Sequence, residues 1–118
     1  MTKDSKYDLE ERTLAFAKNV RKFVRTVPKD VCNIEDCKQL VRSSGSIGAN
    51  YREANESLSK KDFKMRIKIS RKESKESRFW LNLIDTQNQE GLEQTKKYLV
   101  QESTELLKIF SAILVKSK

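Results

Sequence analysis

The chain has 118 residues, with 25 Lys and Arg against 17 Asp and Glu, no His, two Cys, three Gly and one Pro, and a net charge of +8. That length sizes one domain, and Leu, Ile, Val and Phe, about a quarter of the chain, suffice for a core without a metal or disulfide staple. Without His, proton transfer near neutral pH and metal ligation lose their usual side chain, and a di-iron or di-manganese carboxylate bundle, which needs Glu-x-x-His pairs, is excluded.

The opening stretch, Met1 to Tyr7, has no apolar targeting segment. The longest mostly apolar run, Ile109 to Val115, is far too short to span a bilayer. The expected location is therefore the cytoplasm, with no membrane contact. From Asp8 to Val27 the apolar or small residues Leu9, Thr13, Phe16, Ala17, Val20, Phe23, Val24 and Val27 repeat at a three-four spacing, which predicts a first helix over 8–27. Asp8 with Glu11 resembles a capping box and Pro28 blocks continuation. Lys18, Arg21, Lys22 and Arg25 fall opposite the apolar stripe, where they are solvated or touch an anion.

Asn33 reads as the N-cap of a second helix over 34–58, with Cys37, Leu40, Val41, Ser44, Ile47 or Gly48, Tyr51, Ala54 or Asn55, and Leu58 in register. Gly45 and Gly48 each cost about 0.5–1 kcal/mol in a helix interior, so they mark a break or, the preferred reading, a close approach of another helix to the small patch around Ser43, Ser44, Ser46 and Ala49. The segment Ser44-Gly45-Ser46-Ile47-Gly48 is no phosphate loop: it lacks a following Lys-Ser/Thr and a preceding strand. Cys32 and Cys37 match neither a redox pair nor a zinc knuckle and read as free thiols.

Ser59 with Asp62 predicts the start of a third helix over 60–85, whose core seam is Phe63, Ile67, Ser70, Ser74, Ser77, Leu81 and Ile84. Between Lys60 and Arg78 it carries nine basic residues and three acids. Wound at about 100° per residue, Lys60, Lys61, Lys64, Lys68, Arg71, Lys72, Lys75 and Arg78 share one flank, Arg66 stands apart, and Asp62, Glu73 and Glu76 fall on the other. Such a stripe is long enough to follow a phosphate backbone without reading its sequence, because no aromatic platform accompanies it. The bland alternative is a solvated face of good helix formers. Met65, Ile69, Phe79 and Leu83 lie away from the core seam, predicting a second buried face and hence self-association, and Trp80 fits either face. Thr86 to Gly91 is a polar loop, and a fourth helix over 92–116 follows, with Leu92, Leu99, Val100, Leu106, Leu107, Phe110, Ile113 and Leu114 on its apolar face. Four such helices with short connections predict an all-α, up-down-up-down four-helix bundle.

Arg42-Ser43-Ser44-Gly45-Ser46-Ile47-Gly48-Ala49-Asn50-Tyr51-Arg52-Glu53-Ala54, then Ser59-Lys60-Lys61-Asp62-Phe63 and Glu73-Ser74-Lys75-Glu76-Ser77-Arg78-Phe79-Trp80-Leu81, resemble the four-helix-bundle proteins encoded in bacterial 23S rRNA intervening sequences. The likeness extends to Tyr7-Asp8-Leu9-Glu10-Glu11-Arg12-Thr13 and covers nearly the whole chain. That family is related to the accessory variability determinant of diversity-generating retroelements. The resemblance implies a small bacterial bundle assembling as a ring-like homopentamer, without catalysis, whose retroelement relatives bind nucleic acid and a reverse transcriptase. The chain departs from the commoner pattern in carrying Ser70 and Ser74 where Ala is usual, which bears on packing tightness. Within the motif Ser46, Gly48 and Ala49 would admit a neighbouring helix and Ile47 and Tyr51 would fill core. Asn50, Arg52 and Glu53 would form a polar network or inter-subunit pairs. In a second reading, Arg42 and Arg52 join the basic stripe.

The expectation is a non-enzymatic, oligomeric bundle that binds RNA or DNA backbone through Lys60, Lys64, Lys68, Arg71, Lys72, Lys75 and Arg78, with Arg42 and Arg52, and that associates through Met65, Ile69, Phe79 and Leu83. No cofactor or metal is implied. The rival is an interaction scaffold that docks an acidic or polymerase-like protein, with nucleic acid incidental.

Overall fold

The computed structural model describes the backbone from residue 5 and side chains from Asp8; Met1 to Asp4 and the side chain of Tyr7, both used in the sequence reading, lie outside the described residues. Four helices follow in order: α1 (Ser5–Val24), α2 (Val31–Asn55), α3 (Lys60–Leu83) and α4 (Glu90–Lys116). No strand occurs among the described residues.

Several boundaries have a local cause, and some correct the sequence reading. α1 begins before Asp8, which sits in its first turn as a favourable negative charge and not at the cap. It ends at Val24, three residues before Val27, because Pro28 disfavours helical geometry just ahead of it. The freed carbonyls of Val24, Arg25 and Val27 accept bonds from Lys29 Nζ, a cation at the negative end of the helix. The cap of α2 is Asp30, whose Oδ1 accepts from the Asn33 amide at 2.8 Å. Asn33 turns inward instead: its Nδ2 donates to the carbonyls of Pro28 and Asp85, and its Oδ1 accepts from the Asp85 amide, pinning the α1–α2 connection to the α3–α4 connection. α2 stops at Asn55, short of the predicted 58, leaving Leu58 fully exposed. Ser59 caps α3 by accepting from the Asp62 amide at 3.0 Å. The loop before α4 turns through Gln87 and Asn88, both with positive φ, and Thr86 Oγ1 donates to the Glu93 carboxylate in the first turn of α4.

Side-chain pairs fix the directions. Between α2 and α3, Arg42 meets Glu73, Ser43 meets Ser77, Ser70 reaches the Ile47 carbonyl and Arg66 reaches Asn50, so one number falls as the other rises. The same antiparallel sense joins α3 to α4 through Arg78 with Thr104 and Lys60 with the Lys118 carbonyl. Among the described residues the α1 backbone lies beside α2 and α4 and not beside α3, closing an up-down-up-down bundle with α1 and α3 on its diagonal. Its Cα extents are 45 × 32 × 19 Å, a flattened rod.

The core is Phe16, Val20 and Phe23 of α1, Leu40, Ile47 and Tyr51 of α2, Ile67 and Leu81 of α3, and Leu99, Leu106 and Phe110 of α4. Tyr51 and Phe110 rings pack tilted at 5.8 Å. α2 runs unbroken through both interior glycines, and Gly48 explains itself: a Cβ there would stand 2.8 Å from Thr13 Oγ1, so α1 approaches α2 where only hydrogen fits. The serines at the α2–α3 seam are buried without orphaned hydroxyls. Ser70 donates to the Ile47 carbonyl and Ser74 to the Ser70 carbonyl, both at 2.9 Å, so these two departures from Ala add bonds in a tightly packed seam.

Candidate nucleic-acid interface

α3 starts from a Ser cap and carries its core seam inward, which leaves the flank of Lys60, Lys61, Lys64, Lys68, Arg71, Lys72, Lys75 and Arg78 facing out. Lys60, Lys61, Lys68, Arg71, Lys72 and Lys75 are exposed, while Lys64 and Arg78 are half-buried. No carboxylate side chain lies within 4 Å of any of these eight cations among the described residues. Lys60 Nζ donates to the Lys118 carbonyl at 3.2 Å and Arg78 to Thr104 Oγ1 at 3.3 Å. Their positive potential is therefore directed at solvent.

Two concavities shape the stripe. One, of about 650 Å³, is lined by Ser59, Lys60, Lys61, Asp62, Lys64, Met65 and Lys68 at the start of α3. The other, of about 410 Å³, runs between α3 and α4, with Lys64, Lys68 and Arg71 on one wall and Ser111, Leu114, Val115 and Lys118 on the other. The α4 wall is not legible in the sequence, because Leu114 belongs to the apolar face that packs on the core and Lys118 lies beyond the predicted helix.

Arg42 and Arg52 stand apart from the stripe, which corrects the reading that joined them to it. Arg42 binds Glu73 at 3.0 Å and Glu76 at 3.4 Å, since the acidic flank of α3 faces α2. Arg52 faces α1 and pairs with Glu10 at 3.1 Å. Of the motif's other polar residues, Asn50 joins Ser46 to Arg66, while Glu53 is exposed. Burial pushes the Glu73 carboxyl up, but its bonds with Glu76, Arg42 and Ser46 outweigh that and hold it below its ordinary value. Glu76, bonded to Glu73, is pushed above its own. A second network escaped the sequence reading altogether: Arg12 of α1 makes a forked contact with Glu102 at 2.8 Å and reaches Glu105 at 2.9 Å on α4, which raises the guanidinium pKa further. Its partners lie some 90 residues away, a separation that helical periodicity does not register.

The residues assigned to self-association divide. Met65, Phe79 and Leu83 are exposed, Phe79 at 57%, whereas Ile69 is half-buried within the chain itself. Trp80 packs against the core and holds the Phe79 ring edge-on at 5.1 Å. Cys32 and Cys37 are free; burial pushes the Cys37 thiol up, away from the reactive thiolate.

The fold and this surface define a basic, antiparallel four-helix bundle with a strongly cationic flank on α3. No helix among the described residues is long and apolar enough to cross a membrane. The family described as 23S rRNA-intervening sequence protein matches residues 5–112, and the chain belongs to it. A solved structure of a protein of unknown function from the S23 ribosomal protein family of Bacteroides thetaiotaomicron is similar, with a TM-score of 0.77 and 29% identity over 92% of this chain and 96% of that one. No curated protein shows significant similarity.

Proposed function

We propose that this bundle is a non-enzymatic nucleic-acid-binding protein that self-associates and holds RNA or DNA by its phosphate backbone along α3. The observation that supports this reading is the flank of eight cations with no carboxylate side chain within 4 Å among the described residues, flanked by two concavities, on a chain of net charge +8. Lys supplies point charges and Arg71 and Arg78 forked donors, which suits phosphate oxygens and carries no base readout. Each phosphate neutralised releases counterions, so affinity falls steeply with salt.

The test is fluorescence anisotropy of a short RNA duplex across a salt series. With about five phosphates engaged, log K is expected to fall against log salt with a slope of roughly −4 to −5. Charge reversal at Lys64, Lys68, Arg71 and Lys75 should abolish most of the binding and flatten that slope. Unchanged affinity in that variant, or binding indifferent to salt, would remove α3 from the interface. The rival scaffold reading draws on the exposed Met65, Phe79 and Leu83 beside the stripe, apolar groups that phosphates do not use. Partners that survive nuclease treatment in a pull-down would favour it.

A further inference from the structure

The outward cations of α1 have no part in the reading above. Two of the bundle's seams are neutralised internally: Arg42 with Glu73 and Glu76 between α2 and α3, and Arg12 with Glu102 and Glu105 between α1 and α4. The outer surfaces over the other two helix pairs carry excess positive charge. One is the α3–α4 groove already described. The other is a groove of about 340 Å³ between α1 and α2, bordered by Lys18, Arg21 and Arg52 over a floor that includes Ala17, Gly45 and Ala49.

No carboxylate lines this groove, and of its bordering cations Arg52 is paired with Glu10. Lys18 and Arg21 have no acid within 4 Å among the described residues. Arg21 lies along the floor: its Nη1 donates to the Ala17 carbonyl at 3.1 Å, and its Nη2 is 3.4 Å from where a Gly45 Cβ would stand. The small floor at Ala17, Gly45 and Ala49 lets a phosphodiester come within reach of its remaining donors. Because α1 and α3 are diagonal in the bundle, the α1–α2 and α3–α4 grooves open on opposite faces.

We infer that the α1–α2 groove is a second phosphodiester-binding surface, back to back with the first, so that one bundle bridges two nucleic-acid segments. This rests on the α3 reading proposed above. The experiment mixes two populations of one RNA duplex, labelled with donor or acceptor, and titrates the full chain while anisotropy follows single-duplex binding. Energy transfer is expected to rise at low protein and fall again in excess, when each duplex has its own bundle. Lys18→Glu with Arg21→Gln should cut bridging about tenfold while single-duplex affinity changes less than about threefold. Ala49→Glu, which places a carboxylate on an exposed helical position of the floor, should do the same without removing any existing bond, and far-UV circular dichroism checks the helices of both variants.

Bridging that persists unchanged in both variants would overturn the inference, because oligomers displaying only the α3 stripe would then account for it. Single-duplex binding by the natural chain without energy transfer at any ratio would overturn it too, and leave the α3 reading standing. Absence of any duplex binding would sink both.

Discussion

One Cβ separates opposite outcomes at the glycines of α2. At Gly48 it would stand 2.8 Å from Thr13 Oγ1 and 3.2 Å from Thr13 Cβ, on a buried side chain already bonded to the Leu9 carbonyl. Gly48→Ala is therefore expected to destabilise the fold by about 1–3 kcal/mol, overpacking outweighing the better helix propensity. At Gly45 the nearest atom is the far end of Arg21, 3.4 Å away, which can move. Gly45→Ala is expected to stabilise by about 0.5 kcal/mol or more. Denaturant unfolding of both variants checks the pair, and equal shifts would contradict the packing account. The sequence showed that glycine here needed a reason, since both sit inside a strong helical register. It did not show which one is clamped, because that depends on where Thr13 of another helix arrives. Asn33 teaches the same: it was legible as a residue of the α2 start, but its bonds to Pro28 and to Asp85, 52 residues further along, join two loops.

At the scale of the elements, the register of apolar residues located all four helices, and the errors fell at their ends, where a turn is decided by one proline or one cap. The wheel of α3 placed the basic flank and isolated Arg66, as the structure has it, because both follow from the 3.6-residue period alone. What lies across from that wheel is set by packing, so the pairing of Arg42 with the acidic flank was not legible. That pairing has a pH signature. Glu76 is raised above its ordinary value by Glu73, so its ionised form is the disfavoured one in the fold. For a raised carboxyl, the native state is penalised above the unfolded pKa and relieved as pH falls through the folded one. Glu76→Gln is thus expected to stabilise the protein at neutral pH by a few tenths of a kcal/mol, discounted for exposure, with the gain shrinking between about pH 7 and pH 4. Thermal unfolding across that range reads it, and a gain that grows on acidification would reverse the sign of the coupling. Glu73 behaves oppositely: its carboxyl is lowered, so its ion pair with Arg42 is kept above the unfolded pKa and lost as pH falls through the folded one.

Across the whole molecule, surface character changes from face to face. Cations dominate the grooves over α1–α2 and α3–α4, ion pairs close the other two seams, and an apolar strip of Met65, Phe79 and Leu83 lies along α3 beside the positive flank. Large apolar side chains so placed gain up to about 1.5–3 kcal/mol each when fully covered, and a second copy of the chain would cover them without opposing charge if the cations stay at the rim. Leu83→Lys is therefore expected to lower the sedimenting mass at micromolar concentration while leaving helicity intact, since Leu83 is 49% exposed and lies outside the core cluster. Ile69→Lys is a poorer probe than the sequence alone suggested. Ile69 is half-buried within its own chain, so that variant should also lose stability and confound a change in mass with partial unfolding. Sedimentation velocity of Leu83→Lys beside the natural chain decides the matter: a mass unaltered by this substitution would mean that the apolar strip of α3 is not where copies meet.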